Sequence, residues 1–549
     1  MKTLRRKTGN NIVNQNHELK AEELSWIGLL PYGINGLNNS RPVRITPLDY
    51  FQYRLMGEDP RFQKTDYLFY ALSMYEYLRA KSNIVVSGKK VKQNNAMVQD
   101  IHLYVKNLRG SGAYWTTALN QLLAQIATLG VPTYFCSFSC NDLHWPDMIR
   151  VLLFADGRPD TEPDSLSINE RQVLVEKYPV DVSRHFMLRV NALMKYIKTN
   201  KEIFQGEVKD YWWRVEFQNR GSPHLHMILW VDGYKSQDDP EYIAKVESVI
   251  SCAIPQEDEE LKNLVKSLQM HRHSETCRKH KTFCRFGFPR PLSSKTKFLA
   301  LESNEIIQNG GRICVLKREP GEECVNNYSP GLLRLWQANM DIQPCGSAIA
   351  LAYYIAKYIG KSEPTMLEKS LRDAISKIRK KETDVSRKLF KICMAMLNQR
   401  QVSACECAFR LCNLKFFESS RRKVYLSTYK PEKRYRVVNL ETNDYCMQMF
   451  DRYEYRPWKH DDYDFEKMSL SEFAMQFEPH YNKVKQNYGD DEDSDNFDLD
   501  AHGPIKQKAN LITLIDAEQS KMRILSKNAV LCTPRISIHK DKEAFYYSL

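Results

Sequence analysis

The chain has 549 residues, 42% hydrophobic and 27% charged, with a net charge of +13. That length exceeds one ordinary domain and predicts two to four, and the composition is that of a soluble globular protein rather than a fibrous or disordered one. No window approaches the roughly 18 uncharged apolar residues of a membrane span, and the basic start Met1 to Lys7 lacks the apolar run of a secretory signal. Fourteen cysteines without such a signal predict a reducing compartment, where thiols serve as core residues or metal ligands. Asp490 to Asp500 holds seven acids and no base, so setting it aside raises the charge of the remainder from +13 to +20. A surface that basic suits a polyanion partner.

Residues 1–40 mix polar residues with turn formers, as in Gly33-Ile34-Asn35-Gly36, and predict a tail and turns. From 45 to 128 apolar residues recur at helical spacing, for example along Pro47 to Leu55 and Tyr114 to Ala124, until Gly130 and Pro132 stop the pattern. Thr133 to Cys140 has strand composition and runs into Asn141-Asp142-Leu143-His144-Trp145-Pro146. His144 reads as structural or surface. Residues 181–204 predict a helix carrying Arg184, His185, Arg189, Lys195 and Lys198, ended by Gly206.

The most informative stretch follows. Two strand-like runs flank a turn containing Gly221 and Pro223, which predicts a β-hairpin. Side chains alternate faces along a strand. Trp213, Val215, Phe217, Leu225, Met227, Leu229 and Val231 therefore share a core face, and Arg214, Glu216, Gln218, His224 and His226 share the other. Two imidazoles two residues apart, with a carboxylate and an amide across the hairpin, can hold one divalent cation. Glu216 is the expected third ligand and Gln218 the reserve.

Residues 238–269 read as polar and become helical from about Glu259. Three His and two Cys then fall between His271 and Cys284. Zinc takes about four N or S ligands in a tetrahedron. His271 or His273, with Cys277 and Cys284, can supply three or four; the alternative is a basic loop with scattered thiols. In Gly346 to Lys361 an apolar stripe of Ala348, Ala352, Ile355 and Ile359 predicts a helix. Tyr354, Lys357, Tyr358 and Lys361 fall nearly opposite that stripe, so the two tyrosines lie one turn apart with lysines between and after them. Gly360-Lys361-Ser362 is not a nucleotide loop, because Ile355 stands where the first glycine of a Walker A belongs, and no ATP site is expected in this chain. Residues 365–412 predict basic helices with Cys405 and Cys407 as structural thiols. Ser419 to Lys423 is a basic segment before strand-like Val424 to Leu426, and the acidic run predicts a disordered linker.

Glu216-Phe217-Gln218-Asn219-Arg220-Gly221-Ser222-Pro223-His224-Leu225-His226 resembles the His-hydrophobic-His (HUH) motif of rolling-circle initiators and relaxases, and more narrowly the Rep nuclease domain of Helitron transposases. The Asn-x-x-x-Trp-Pro segment, the His-x-His…Cys…Cys-Arg-Phe-Gly-Phe-Pro stretch and Tyr354-x-x-Lys357-Tyr358-x-x-Lys361 are similar to that family's motifs as well. The resemblance runs from about residue 41 to the end.

It implies an α+β fold: a small antiparallel-sheet HUH nuclease core with helical N-terminal and C-terminal additions and a zinc-binding insertion. The implied divisions are a tail (1–40), a helical N-terminal region (41–130), the nuclease core with its metal hairpin (131–237), the His/Cys segment (238–300), the core continued with the tyrosine helix (301–365), a basic helical and strand region (366–480), and an acidic linker and connector toward a helicase that would follow (481–549).

The implied activity is nicking and strand transfer of single-stranded DNA at transposon ends. Mg2+ or Mn2+ would sit on His224, His226 and Glu216 or Gln218, with structural Zn2+ on the His/Cys segment. Tyr354 or Tyr358 would attack to give a 5′-phosphotyrosine, with Lys357 or Lys361 favouring the phenolate. The setting would be nuclear and away from membranes, with a helicase domain or protein as partner. A DNA-binding module without turnover, and the front part of a nuclease–helicase, are the alternative readings.

Overall fold

The computed structural model describes residues 4–5, 12–13, 18–91, 109, 111–217, 221–234, 240–278, 284–300, 303, 305–309, 312–345, 373, 376–378, 385–398, 401–434, 446–480 and 511–534. The chain divides into two compact units, Met1–Trp115 with Val131–Glu418, and Thr116–Gly130 with Ser419–Leu549. No helix among the described residues is long and apolar enough to cross a membrane.

The first unit opens with α1 (Ala21–Ser25), α2 (Pro47–Met56) and α3 (Thr65–Val91), followed by α4 (Gly112–Leu129), which runs across the division. Thr46 caps α2 reciprocally with Asp49, and Pro47 presets its first turn. Residues 18–40, expected as tail and turns, are mostly exposed turns anchored by the buried α1 residues Ala21, Glu22 and Glu23. Glu22 is 3% exposed and accepts from Tyr50 Oη (2.9 Å), Tyr67 Oη (2.7 Å) and Leu37 N–H (2.7 Å). A carboxylate buried with that many donors is a lock on the loop it faces.

Next come β1 (Tyr134–Ser139), α5 (Pro146–Ala155), α6 (Ile168–Lys177) and α7 (Pro179–Thr199). On α7, Val182, Phe186, Val190, Leu193 and Ile197 recur at helical spacing and all enter the main core. β2 (Val208–Phe217) and β3 (Pro223–Val231) form the expected hairpin. After them come α8 (Pro240–Val249), α9 (Glu259–Leu264), α10 (Pro330–Trp336) and β4 (Met340–Pro344). The stretch read as polar up to Glu259 thus contains a helix. Pro240 starts it, and Tyr242, Val246 and Val249 bury one face.

α11 (Val385–Asn398), α12 (Ala404–Leu411) and β5 (Phe417–Ser419) complete the unit. The sheet order is β4-β1-β3-β2-β5, and the pairs β4/β1, β1/β3 and β3/β2 are antiparallel. With helices around this sheet the architecture is α+β. Cys405 and Cys407 are buried as expected; burial pushes the Cys405 thiol up to about 12.

The second unit holds β6 (Lys423–Tyr425), α13 (Met449–Glu454), α14 (Leu470–Gln476), β7 (Phe477–His480), β8 (Leu511–Thr513), β9 (Lys521–Ile524) and β10 (Val530–Cys532). Its three-stranded sheet, ordered β7-β9-β8, packs Phe477, Ile512 and Met522 against Phe465 and Phe473.

One cluster fixes the corner after β1. Trp145 and Trp336 meet edge to face at 5.3 Å, Phe138 and Phe186 flank Trp336, and Trp336 Nε1–H donates to Ser139 O at 2.8 Å. Trp145 Nε1–H donates in turn to Trp336 O at 3.0 Å. This gives the Asn-x-x-x-Trp-Pro segment its structural reason: Trp145 plugs the core and Pro146 begins α5. We predict that Trp336→Ala costs about 3–5 kcal/mol of stability, the usual range for emptying a fully buried aromatic site. Urea unfolding followed by circular dichroism checks this, and Trp336→Phe should lose less.

Candidate metal centres

The first candidate is the polar face of the sheet. Register pairs Glu216 with His224 and Arg214 with His226 across the hairpin. On the other side of β3, Ser139 pairs with His224 and Ser137 with His226. Directly paired residues share a face, so all six point the same way. The seven residues expected on the opposite face all belong to or pack against the main core. His226 Nε2 lies 2.9 Å from Glu216 Oε2, the two imidazoles meet at 4.7 Å, and Phe135 stacks on His226 at 5.8 Å.

Arg214 is held with its guanidinium 4.0 Å from the Trp115 ring centre. Burial pulls its pKa below the ordinary arginine value, while the Glu216 and Glu406 carboxylates pull it back up.

The turn is locked as well. Gly221 has φ +87°, and a Cβ there would lie 3.1 Å from Ser403 Cβ at the start of α12. The positive φ therefore favours glycine, and the Ser403 side chain leaves little room for a Cβ. Ser222 Oγ also bonds Asp142 Oδ2 at 2.5 Å.

Two imidazoles and a carboxylate are donors a divalent cation accepts, but the 2.9 Å between His226 Nε2 and Glu216 Oε2 is here a hydrogen-bond contact. His224, His226 and Glu216 are not, however, drawn together as a group of three at coordination spacing. Gln218 lies outside the described residues, as do Tyr354, Lys357, Tyr358 and Lys361.

The second candidate is gathered more tightly. One ligand atom each from His271, His273, Cys277 and Cys284 lie within 4.8 Å of one another, the single such group among the described residues. Cys277 Sγ is 3.6 Å from His273 Nδ1, and Cys284 Sγ is 3.3 Å from His271 Nε2. The N-to-S edge of a tetrahedral zinc site is about 3.6 Å. The donor set thus suits a metal ion such as zinc.

The backbone builds this cluster. Arg285 N–H donates to Cys277 O and Gly287 N–H to Cys284 O, which folds the second cysteine back on the first. His271 stacks on Phe288 at 4.5 Å. Burial, with His273 beside it, lowers the His271 pKa, which favours the neutral ring that a ligand must present.

With both sites in view, the chain can be compared with known proteins. Residues 62–229 match the family model described as the Helitron helicase-like domain at the N-terminus. The chain carries a Helitron helicase-like domain. No curated protein matches it. The matched part of this Helitron-like domain begins before α3 and ends within β3, so it contains Glu216, His224 and His226. The His/Cys cluster lies beyond it.

Sequence reasoning missed two residues on the polar face. Asp341 of β4 pairs in register with Ser137, so it joins the row that holds His226. Arg312 Nη2 contacts Asp341 Oδ2 at 2.8 Å. The alternation Met340-Asp341-Ile342-Gln343, with Met340 and Ile342 buried in the core, was the available signal for β4.

For the His/Cys centre the expected result is about one zinc per chain in purified protein, read by elemental analysis. Cys277→Ala or Cys284→Ala should lower that content by roughly 10-fold or more, as loss of one of four ligands implies. Undiminished zinc in both variants would place the metal elsewhere.

Proposed function

We propose that this chain nicks and rejoins single-stranded DNA at transposon ends by tyrosine transesterification. The observation that carries the reading is the Glu216–His226 contact beside His224, on the polar face of a hairpin inside a Helitron helicase-like domain. His224, His226 and Glu216, with Gln218 in reserve, would hold Mg2+ or Mn2+, which would offset the charge that grows on the scissile phosphate. Phe135 stacks on the His226 ring and fixes it before substrate arrives.

Tyr354 or Tyr358 is the nucleophile. Its phenol gives up a proton to solvent, a bond forms between its oxygen and phosphorus, and the bond from phosphorus to the 3′ oxygen breaks. The 3′ oxygen takes a proton from solvent. Strand transfer is the reverse step with a new 3′-OH, and the second tyrosine serves a second cleavage. An ordinary phenol pKa near 10 makes a neutral tyrosine weak at pH 7, and Lys357 or Lys361 favours the phenolate. Zinc on the His/Cys cluster is structural in this account. The setting is nuclear, with a helicase domain or protein as partner.

One observation favours a second reading, a DNA-binding module without turnover: the three hairpin donors are not gathered to coordination spacing.

The test is incubation of the purified chain with a labelled pool of single-stranded DNA and Mn2+ or Mg2+. A covalent adduct should form, fall by roughly 100-fold or more in His224→Ala, and disappear in Tyr354→Phe or Tyr358→Phe. Binding without any adduct in either metal would establish the silent module instead.

A further inference from the structure

The second unit presents a basic face that neither candidate centre uses. In its sheet Arg523 pairs with Glu478 on one side and Leu511 on the other, and Lys521 pairs likewise with His480 and Thr513. The row between them, Pro479, Met522 and Ile512, points the other way, and Met522 and Ile512 enter the core. Glu478, Arg523, Lys521, His480 and Thr513 therefore share the outer side. Arg422, from the basic segment Ser419 to Lys423, reaches the same face by bonding Glu478.

Glu478 holds both arginines, Arg422 on Oε2 and Arg523 on Oε1, the latter at 3.4 Å. Arg523 Nη2 also lies 3.2 Å from His480 Nδ1. Glu478 keeps 22% of its side chain exposed, Arg422 41% and Arg523 43%, so the cations stand outward of the anion and within reach of a ligand. Lys521 and Thr513 are exposed beside them. Three cations against one carboxylate leave this face positive.

A guanidinium tied to a carboxylate has less freedom to lose on binding, and its planar fork suits phosphate oxygens. Lys521 and Arg523 stand two residues apart on β9, about 7 Å at the usual strand rise. That is close to the step between successive phosphates of an extended strand. A repeating anion suits two cations at this spacing better than an isolated one.

We propose that this outer face is a second nucleic-acid contact of the chain, with Arg422 and Arg523 on one backbone phosphate and Lys521 on the next. The proposal takes from the reading above only that the partner is nucleic acid, not that it is nicked. Glu478 serves as the positioning residue for both arginines.

The test is the affinity of the full chain for a labelled oligothymidylate and for a duplex of the same length, each measured against salt. Each phosphate contact contributes about 0.7 to the slope of log Kd against log salt on a single strand and about 0.9 on a duplex. Lys521→Gln should lower the slope by one such step and weaken binding several-fold. Lys521→Gln combined with Arg523→Gln, which keeps a donor for Glu478, should lower it by two. Lys467→Gln is the control and should leave the slope unchanged. Lys467 is an exposed lysine of the same unit, between Phe465 and Met468, which pack on the core side of the sheet.

A slope lowered with one probe alone supports the proposal and names the form of strand the face takes. An unchanged slope with both probes in Lys521→Gln overturns it, as does an equal fall in Lys467→Gln, the mark of a general charge effect. If the double variant fails to fold, the exposed single substitution decides. The adduct assay run in parallel separates the two claims. Adducts with unchanged slopes remove this face alone, whereas a lowered slope without adducts removes the nicking chemistry alone.

Discussion

The register between β2 and β3 is the constraint on which the candidate site depends. Side chains alternate at a period of two, so a slip of one residue would send His224, His226 and Glu216 into the core and Leu225 and Val215 out of it. The buried aromatic and aliphatic side of the hairpin, Trp213, Val215, Leu225, Met227 and Leu229, makes that slip costly. Gly221 fixes the turn from one end, and the hydrogen bond from Ser222 to Asp142 ties it to the segment after β1. The polar face is therefore held by the apolar one.

The His/Cys centre bears on the same sheet from its edge. His271 N–H donates to Cys324 O, and Met270 bridges Val325. The next residue, Asn326, uses its side-chain amide to donate to Met340 O at 2.7 Å, and Asn339 donates likewise to Leu268 O at 2.9 Å. A metal ion holding His271 and His273 to the two cysteines would thus steady the loop that clasps the start of β4. Asp341 is the next residue along. The two centres are separate in chemistry and joined in mechanics.

How much of this was legible in the sequence depends on how local the signal was. The hairpin was readable because both strands are long, alternate cleanly and are adjacent in the chain. β1 and α7 were readable for the same reason, since each carries its own pattern. The ligand spacing of His271, His273, Cys277 and Cys284 was readable because all four fall within one loop.

α8 was hidden by the charged residues on its open side, although Tyr242, Val246 and Val249 mark its buried face. β4 is five residues at the sheet edge, too short for alternation to speak alone. The Arg312–Asp341 pair joins two segments 29 residues apart, which no local pattern announces. The tyrosine stretch from 346 to 361 lies outside the described residues, so its helix rests on periodicity alone.

The most direct measurement of the central claim is a Mn2+ titration of the zinc-loaded chain, followed by electron paramagnetic resonance. If the polar face of the hairpin holds a divalent cation, one tight Mn2+ should bind per chain. That site should be lost in His224→Ala and in Glu216→Ala while the zinc content stays the same. Mn2+ binding that is absent, or that survives both substitutions, would contradict the account.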